Sequence, residues 1–343
     1  MLNRLPKTAL PLIAVLLAVV AYWFYWSSLV DRLKLEVTNW AASQAESGIN
    51  VTWDDLRASG WPLRLRLEFD NLRYEATGAE TPWSWSAPEF HAHALPYKLT
   101  HIIASAKSPM RITYGRGTGV REWEVTADST EASYVIETDV PARLAFDIQA
   151  VTALRLDHPA QVSAARLQLH ARKSEETEGS VDLALRGADI TVDDAFAPGL
   201  MDLMGPTIAH LGIQARVTAA AGDRVFQDIA LLELEGSEIQ VSQGTAMWGP
   251  ASALATGKLT VSAQRIANGR FDTTLKGYDA IIDGLVRQKL VDADLENPLK
   301  AALSLLSLTS GAEPGSVRMP LIIKNNDVYL GPVRVTGQGR STN

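Results

Sequence analysis

Residues 63–70 read Leu-Arg-Leu-Arg-Leu-Glu-Phe-Asp, so apolar and charged side chains alternate at every step. Successive side chains of a β-strand point to opposite faces of the sheet, so this period of two predicts a strand with one apolar and one solvated face. The same alternation returns at residues 144–149, 166–172 and 181–186. One-sided strands are typical of antiparallel sheets, whereas the strands of parallel sheets are apolar throughout. The sequence therefore predicts a mainly β fold built on an extended antiparallel sheet or groove.

An apolar segment lies at the N-terminal side of these strands. Residues 8–30 read TALPLIAVLLAVVAYWFYWSSLV, which is 23 residues without a charge. At about 1.5 Å per residue, a helix of this length spans the roughly 30 Å hydrocarbon core of a bilayer. Arg4 and Lys7 precede the segment and Asp31 follows it. The positive-inside rule then predicts that residues 1–7 are cytoplasmic and that the chain after the transmembrane anchor lies across the membrane.

The end of the apolar segment is aromatic. Side chains of this type gather where hydrocarbon meets headgroups, so we expect a membrane-interface belt formed by Tyr22, Trp23, Phe24, Tyr25 and Trp26. A cleaved signal peptide is the alternative, because Val19 and Ala21 satisfy a small-residue cleavage rule. The apolar run is longer than a usual signal-peptide core, which favours a retained anchor.

Residues 31–47 continue the helical pattern as an amphipathic stalk. Its apolar positions recur at helical spacing, at Leu29, Leu33, Val37, Trp40 and Ala41, and the pattern stops at Gly48. Such a stalk can lie on the bilayer or pack on the domain that follows. Packing is favoured, because the polar face mixes both charge signs and lacks the Lys/Arg enrichment of surface-binding helices.

The β-rich domain is expected over residues 48–343, with a subdivision allowed near residue 193. Helical spacing predicts a few helices in its C-terminal part, near residues 195–211, 278–290 and 297–306, with Asn297 as the N-cap of the last. The segments 317–324 and 328–335 predict a closing hairpin around Asn325 and Asn326.

Composition excludes several function classes. The chain of 343 residues is 46% hydrophobic and 21% charged, which is globular usage, and its net charge of −7 argues against nucleic acid as a partner. It has no cysteine, so thiolate nucleophiles and Cys-ligated zinc are excluded. His91 and His93 point to one strand face, but nothing fixes a third ligand. No catalytic motif is found, and we expect no enzyme activity, no metal and no cofactor.

Tryptophan is concentrated early in the chain, with eight of the nine in the first 123 residues. A large aromatic core explains such a cluster, because buried aromatic side chains dominate core energetics. The functional alternative is an apolar groove near the membrane, where aromatic side chains suit lipid. Its candidate lining residues alternate along two predicted strands and are Leu63, Leu65, Leu67, Phe69, Trp83 and Trp85.

Several short motifs occur in an order that resembles a known family. After the single span come Gly60-Trp61-Pro62-Leu63-Arg64-Leu65 and Trp85-Ser86-Ala87-Pro88, and near the end Pro320-Leu321-Ile322 and Tyr329-Leu330-Gly331-Pro332. This arrangement resembles the proteobacterial membrane-anchored family known as domain of unknown function 2125. The resemblance implies a protein anchored in the bacterial inner membrane and exposed to the periplasm, without an established activity. The build is also similar to AsmA-like proteins, whose sheets form an apolar groove for lipid, by analogy of architecture.

Two functions remain open from the sequence. Many one-sided strands need cover for their apolar faces, and the few predicted helices are too small to cover an extended sheet. The first hypothesis is therefore a non-enzymatic envelope protein that binds or handles phospholipid or another acyl lipid in an apolar groove. The alternative is a structural or interaction scaffold of an envelope complex, with a closed dry core and no ligand.

Overall fold

A computed structural model of the chain describes residues 9–78, 81–137, 140–158, 160–193, 201–218, 235–287, 292–309, 313, 315–330 and 333–334. Contacts between residues group the chain into two compact units, Met1–Val125 and Thr126–Asn343. A domain boundary near residue 193 stays a prediction, and the proposed cytoplasmic residues 1–7 lie outside the described residues.

The first unit begins with one long helix, α1 (Ala9–Glu46, 38 residues), which joins the predicted anchor and stalk without a break. It is long and apolar enough to cross a membrane, with a mean hydropathy of 1.9 over its most apolar stretch and 6% of that stretch buried. The helix ends where Gly48 adopts a φ of 76°. Glycine takes this left-handed conformation without steric cost, which is why it commonly follows the last turn of a helix.

Seven described strands follow α1 in the first unit. They are β1 (Ile49–Thr52), β2 (Asp55–Ser59), β3 (Leu65–Ala76), β4 (Trp83–Leu95), β5 (Lys98–Ala106), β6 (Met110–Tyr114) and β7 (Arg121–Thr126). β3 pairs antiparallel with β1, β2 and β4, β4 also pairs with β5 and β6, and β6 pairs with β7. A short 3-10 turn, Gly117–Gly119, joins β6 to β7, as expected of a glycine-rich turn.

The core of the first unit forms between α1 and the apolar face of β3. Leu65, Leu67 and Phe69 are buried at successive alternate positions, and Val30 of α1 is buried against them. Leu29, Leu33 and Val37 pack on the same cluster, so the stalk packs on the domain, as favoured from its charges. The alternation shifts by one residue at Asn71, whose φ is 52°, and Leu72 then continues the buried side.

The second unit is a meander of eleven described strands. They are β8 (Ser129–Glu137), β9 (Val140–Arg155), β10 (Gln161–Lys173), β11 (Ser180–Val192), β12 (Thr207–Thr218), β13 (Glu238–Trp248), β14 (Ala251–Val261), β15 (Ala267–Lys276), β16 (Ser316–Lys324), β17 (Asp327–Leu330) and β18 (Val333–Arg334). Each pairs antiparallel with the next along the chain. The closing hairpin turns at Asn325 and Asn326, which both have positive φ, as two-residue hairpin turns require.

The described part of the second unit also contains short helices: α2 (Met201–Met204), α3 (Tyr278–Arg287) and α4 (Glu296–Thr309), the last preceded by a 3-10 turn at Ala293–Leu295. α4 begins at Glu296, so Asn297 lies inside the helix and is not its N-cap. The mainly β fold class with an N-terminal helix and a few C-terminal helices is confirmed.

The helix predicted near residues 195–211 is wrong over most of its described part. Only Met201–Met204 is helical, and β12 begins at Thr207. Pro206 lacks the N–H that a continuing helix would use, and Gly205 turns the chain with a φ of 79°. From residue 207 on, β-branched residues favour the strand. Residues 194–200 lie outside the described part.

Candidate functional site

A continuous apolar face crosses eight strands of the second unit, from β9 to β16. Its side chains fall into three rows of cross-strand partners, one residue from each strand. The first row is Leu144, Ala171, Leu183, Ala215, Val241, Gly257, Phe271 and Leu321. The second is Phe146, Leu169, Leu185, Ile213, Gly244, Ala255, Thr273 and Met319. The third is Ile148, Leu167, Gly187, Leu211, Ala246, Ala253, Leu275 and Val317. These three rows are called the apolar face.

Most side chains of the apolar face keep contact with solvent. Residues from β9 to β12 such as Leu144, Leu169, Leu185 and Ile213 are half-buried, and Phe146 is 37% exposed. In a closed two-layer core, the equivalent leucines and isoleucines lose nearly all of their accessible surface. The apolar face is therefore an accessible surface over much of its extent.

The helices cover one end of the apolar face. Tyr278 and Ile282 of α3 are buried together with Val317 of β16, and Leu299 of α4 packs on this cluster. The hydroxyl of Ser307 of α4 donates a hydrogen bond to the carbonyl of Ser316, at 2.6 Å. Strands β15 and β16 are thus part of a closed core.

A second buried cluster, Ala171, Val181 and Val217, lies on β10 to β12, and Leu144 and Leu183 of the first row pack against it. The more accessible part of the apolar face on β9 to β12 therefore lies in the second and third rows.

The opposite side of the same sheet is charged. Arg166 Nε donates to Asp147 Oδ1 at 2.8 Å, and this hydrogen bond holds the pKa of the Asp147 carboxyl below its ordinary value. Arg216 Nε donates to Asp182 Oδ1 at 2.9 Å, and its hydrogen bonds to Asp182 and Glu176 raise the pKa of the guanidinium. This sheet is therefore amphipathic, with ion pairs on its charged, solvent-facing side.

A second apolar site lies within the first unit, between α1 and the sheet. It is a cavity of about 360 Å³, called the α1 pocket. Leu33, Val37 and Trp40 line it from the helix. The strands contribute almost only apolar side chains, with Tyr74 and His93 as the polar exceptions. The volume falls in the range of small-molecule sites, roughly 300–1,000 Å³.

The structure brings four of the six predicted groove residues together at the α1 pocket. These are Leu65, Leu67, Phe69 and Trp85. Leu63 lies in the turn before β3 and is 75% exposed. Trp83 also lies outside the lining of the pocket.

Aromatic side chains that line the α1 pocket also pack on one another. Trp53, Phe69, Phe90 and Trp85 form a chain of edge-on ring contacts with centroids 5.5–6.0 Å apart. Trp83 stacks on Tyr74 at 5.3 Å, near the other end of the strand pair. Two of the early tryptophans, Trp53 and Trp85, belong to this aromatic cluster, whereas Trp23, Trp40 and Trp61 are 45–50% exposed, so the cluster contains only part of the tryptophans that suggested a large aromatic core.

The predicted belt residues divide between two sides of α1. Trp23 and Phe24 are 50% and 62% exposed. Tyr22, Tyr25 and Trp26 direct their polar atoms at backbone carbonyls of the first unit. The belt therefore contacts the folded domain as well as facing outward.

Comparison with protein families gives a match over most of the chain. The model of the bacterial family DUF2125, described as an uncharacterized protein conserved in bacteria, matches residues 23–337. The chain belongs to this family. No curated protein and no solved structure matches it. The family assignment thus agrees with the resemblance found in the sequence motifs, and the description of the family names no activity.

Sequence reasoning missed much of the apolar face of the DUF2125 protein. It identified the alternation in β3, β9, β10 and β11 and at Ile239 and Val241 of β13, but not in the rest of β13 or in β14 and β15. Those strands supply small residues such as Gly244, Ala246, Ala253 and Gly257 to the apolar face. Alanine and glycine carry little hydrophobic signal, so only the pairing register reveals that they extend the apolar rows.

Among the described residues of the DUF2125 protein, no three His, Asp or Glu side chains lie close enough together to hold a metal ion. His91 Nε2 lies 3.6 Å from Glu89 Oε2, and His93 lines the α1 pocket. His91 therefore lies beside the Glu89 carboxylate of its own strand.

Proposed function

We propose that this DUF2125 protein is a non-enzymatic protein, anchored in the bacterial inner membrane and exposed to the periplasm, that binds the acyl chains of phospholipid or a related lipid. The apolar face of the second unit is the proposed binding surface. The α1 pocket is a second, smaller apolar site beside the anchor.

The accessible apolar face is the observation that carries this proposal. Strands lie about 4.8 Å apart, so eight strands extend about 34 Å from β9 to β16. The hydrocarbon of one leaflet is about 15 Å thick, which is the reach of an acyl chain, so such a chain fits along the rows. Each methylene removed from water contributes about 0.8 kcal/mol. An acyl chain therefore supplies the cover that the half-buried leucines and isoleucines lack.

Membrane attachment is supported by α1. Its N-terminal side chains are strongly exposed, with Leu12, Leu16 and Leu17 at 74%, 61% and 63%. A bilayer removes this apolar surface from water, and the flanking Arg4 and Lys7 favour a cytoplasmic N-terminus. This orientation places both compact units in the periplasm.

The test is photochemical labelling of the full chain in vesicles that contain a phospholipid with a diazirine in its acyl chain. We expect adducts on the apolar-face peptides of β9 to β12 as well as on α1. Leu185→Asp places a charge on the apolar face and lowers the second-unit adducts at least about fivefold, since an uncompensated charge is excluded from an apolar contact.

Ala184→Asp is the matched control, because Ala184 is the next residue of β11 and points to the charged side. We expect it to keep the wild-type labelling. The two variants must have equal urea unfolding midpoints, so that a difference in labelling does not reflect a difference in stability. Adducts confined to α1 in the wild-type chain contradict lipid binding by the second unit. That outcome favours the scaffold function instead.

A further inference from the structure

Two turns of the first unit are tied to the aromatic part of α1, residues 22–26. The hydroxyl of Tyr22 donates a hydrogen bond to the carbonyl of Pro62 at 2.6 Å, and Trp26 Nε1 donates to the carbonyl of Arg64 at 3.2 Å. The hydroxyl of Tyr25 donates to the carbonyl of Pro96 at 3.3 Å. Residues 22 and 26 are about 6 Å apart along the helix axis, so both turns are held at one level of α1.

These turns expose large apolar side chains. The first turn, residues 60–64, carries Trp61 at 45% and Leu63 at 75% exposure. The second turn, residues 95–98, carries Tyr97 at 80% exposure. Exposed apolar side chains that are grouped in this way mark a surface that contacts another apolar phase or molecule.

The sequence of α1 fixes the level at which a bilayer would end. Lys7 is the last charge before the apolar segment and Asp31 is the first charge after it. Twenty helical residues from Ala9 span about 30 Å, which is the thickness of the hydrocarbon core, and so reach Ser28. Residues 22–26 then lie at the outer edge of the hydrocarbon, and the two turns lie at the same depth.

The charges of the two turns match a phospholipid surface. Arg64 and Lys98 are both exposed, and they are the only charged residues within 60–64 and 95–98. Both are basic, although the chain as a whole carries a net charge of −7. Basic side chains beside exposed aromatic ones are the composition that anionic headgroups attract.

We propose that the two turns form a membrane-seating surface, in which Trp61, Leu63 and Tyr97 enter the headgroup layer of the phospholipid bilayer that α1 spans. This inference rests on the proposed membrane anchor and is independent of lipid binding by the second unit. The first unit then sits directly on the outer side of the membrane. The α1 pocket begins at Leu33, seven residues and about 10 Å beyond Trp26, so it opens close to the headgroups.

Single cysteines test this surface cleanly, because the natural chain has none. The variants Leu63→Cys and Tyr97→Cys carry an environment-sensitive NBD fluorophore on the full chain, reconstituted in vesicles of phosphatidylethanolamine and phosphatidylglycerol. We expect blue-shifted emission at both positions and at least twofold quenching by lipids that carry a nitroxide near the headgroup.

Probes at two further positions show which part of the proposal a negative result would overturn. Glu46→Cys lies at the exposed end of α1, about 30 Å beyond Trp26, and should give water-like emission without quenching. Val19→Cys lies within the apolar segment and should be quenched most by a nitroxide at the centre of the bilayer. Water-like emission at Leu63 and Tyr97 with a quenched Val19 probe overturns the seating surface alone. An unquenched Val19 probe overturns the membrane anchor itself.

Discussion

At the scale of single residues, small side chains set how closely the strands of the apolar face approach. Gly257 of β14 lies opposite Phe271 of β15, which is 8% exposed. A Cβ atom added at Gly257 would stand 2.2 Å from the carbonyl oxygen of Arg270 and 2.9 Å from the Phe271 ring. The glycine therefore leaves room for backbone and ring at a point where a larger residue would be overpacked.

We predict that Gly257→Ala destabilises the second unit by about 1–3 kcal/mol, because backbone atoms rather than flexible side-chain ends must move. Urea unfolding of the full chain in mild detergent measures the change. Gly119→Ala is the control, since an added Cβ there meets no atom within 4 Å and the residue is exposed. Equal unfolding midpoints for the two variants would contradict the account.

At the scale of elements, α3 and α4 close one end of the sheet and are joined by one lysine. Lys300 of α4 donates to Glu296 Oε1 at 2.8 Å and forms an ion pair with Asp283 of α3. The hydrogen bonds to Asp283 and Glu296 raise the pKa of the Lys300 ammonium above its ordinary value. This bridge therefore connects the two helices.

Because the pKa of Lys300 is raised by folding, the stabilisation is complete below the ordinary lysine pKa of about 10.4 and is lost as the pH rises through the folded value. We predict that Lys300→Met lowers the Tm at pH 7. The difference from wild type should shrink above about pH 10.4 and also with added salt. Differential scanning calorimetry measures it. Lys324→Met, at an exposed position of β16, should show no such pH-dependent difference.

At the scale of the whole molecule, one helix and an amphipathic sheet dominate. α1 combines a strongly exposed apolar N-terminal part with a C-terminal part that packs on the first unit. The sheet of the second unit keeps its apolar face accessible over much of its extent. Both features leave apolar surface exposed, and the contact of apolar surface with water is unfavourable. A membrane and its lipids are therefore the proposed environment.

Membrane orientation gives the prediction at this scale. In intact spheroplasts, a membrane-impermeant maleimide should label Glu178→Cys, in the exposed turn between β10 and β11. It should label Lys7→Cys only after the membrane is disrupted, because the positive-inside rule places this residue in the cytoplasm. Protection of Glu178→Cys until lysis contradicts a periplasmic second unit. A mature chain that never carries the Lys7 label means that a signal peptide has been cleaved.

The sequence alone determined the class of fold and the long apolar helix at the N-terminal side. Side chains repeat every two residues along a strand and every 3.6 along a helix, so a strong period in the sequence identifies the element. The period of two predicted β3 correctly, at Leu65, Leu67 and Phe69. The helical spacing predicted α1 correctly, at Leu29, Leu33 and Val37. The error at residues 207–211 arose because a short apolar run is compatible with helix and strand alike.

Only the tertiary structure decided which apolar residues share one surface and how much of that surface remains accessible. Pairing register joins Gly257 and Ala253 to leucines far away in sequence, and the alignment of strands is a long-range property that no local pattern encodes. The same holds for the two turns beside Tyr22 and Trp26, since hydrogen bonds between residues 38 to 71 positions apart bring them together.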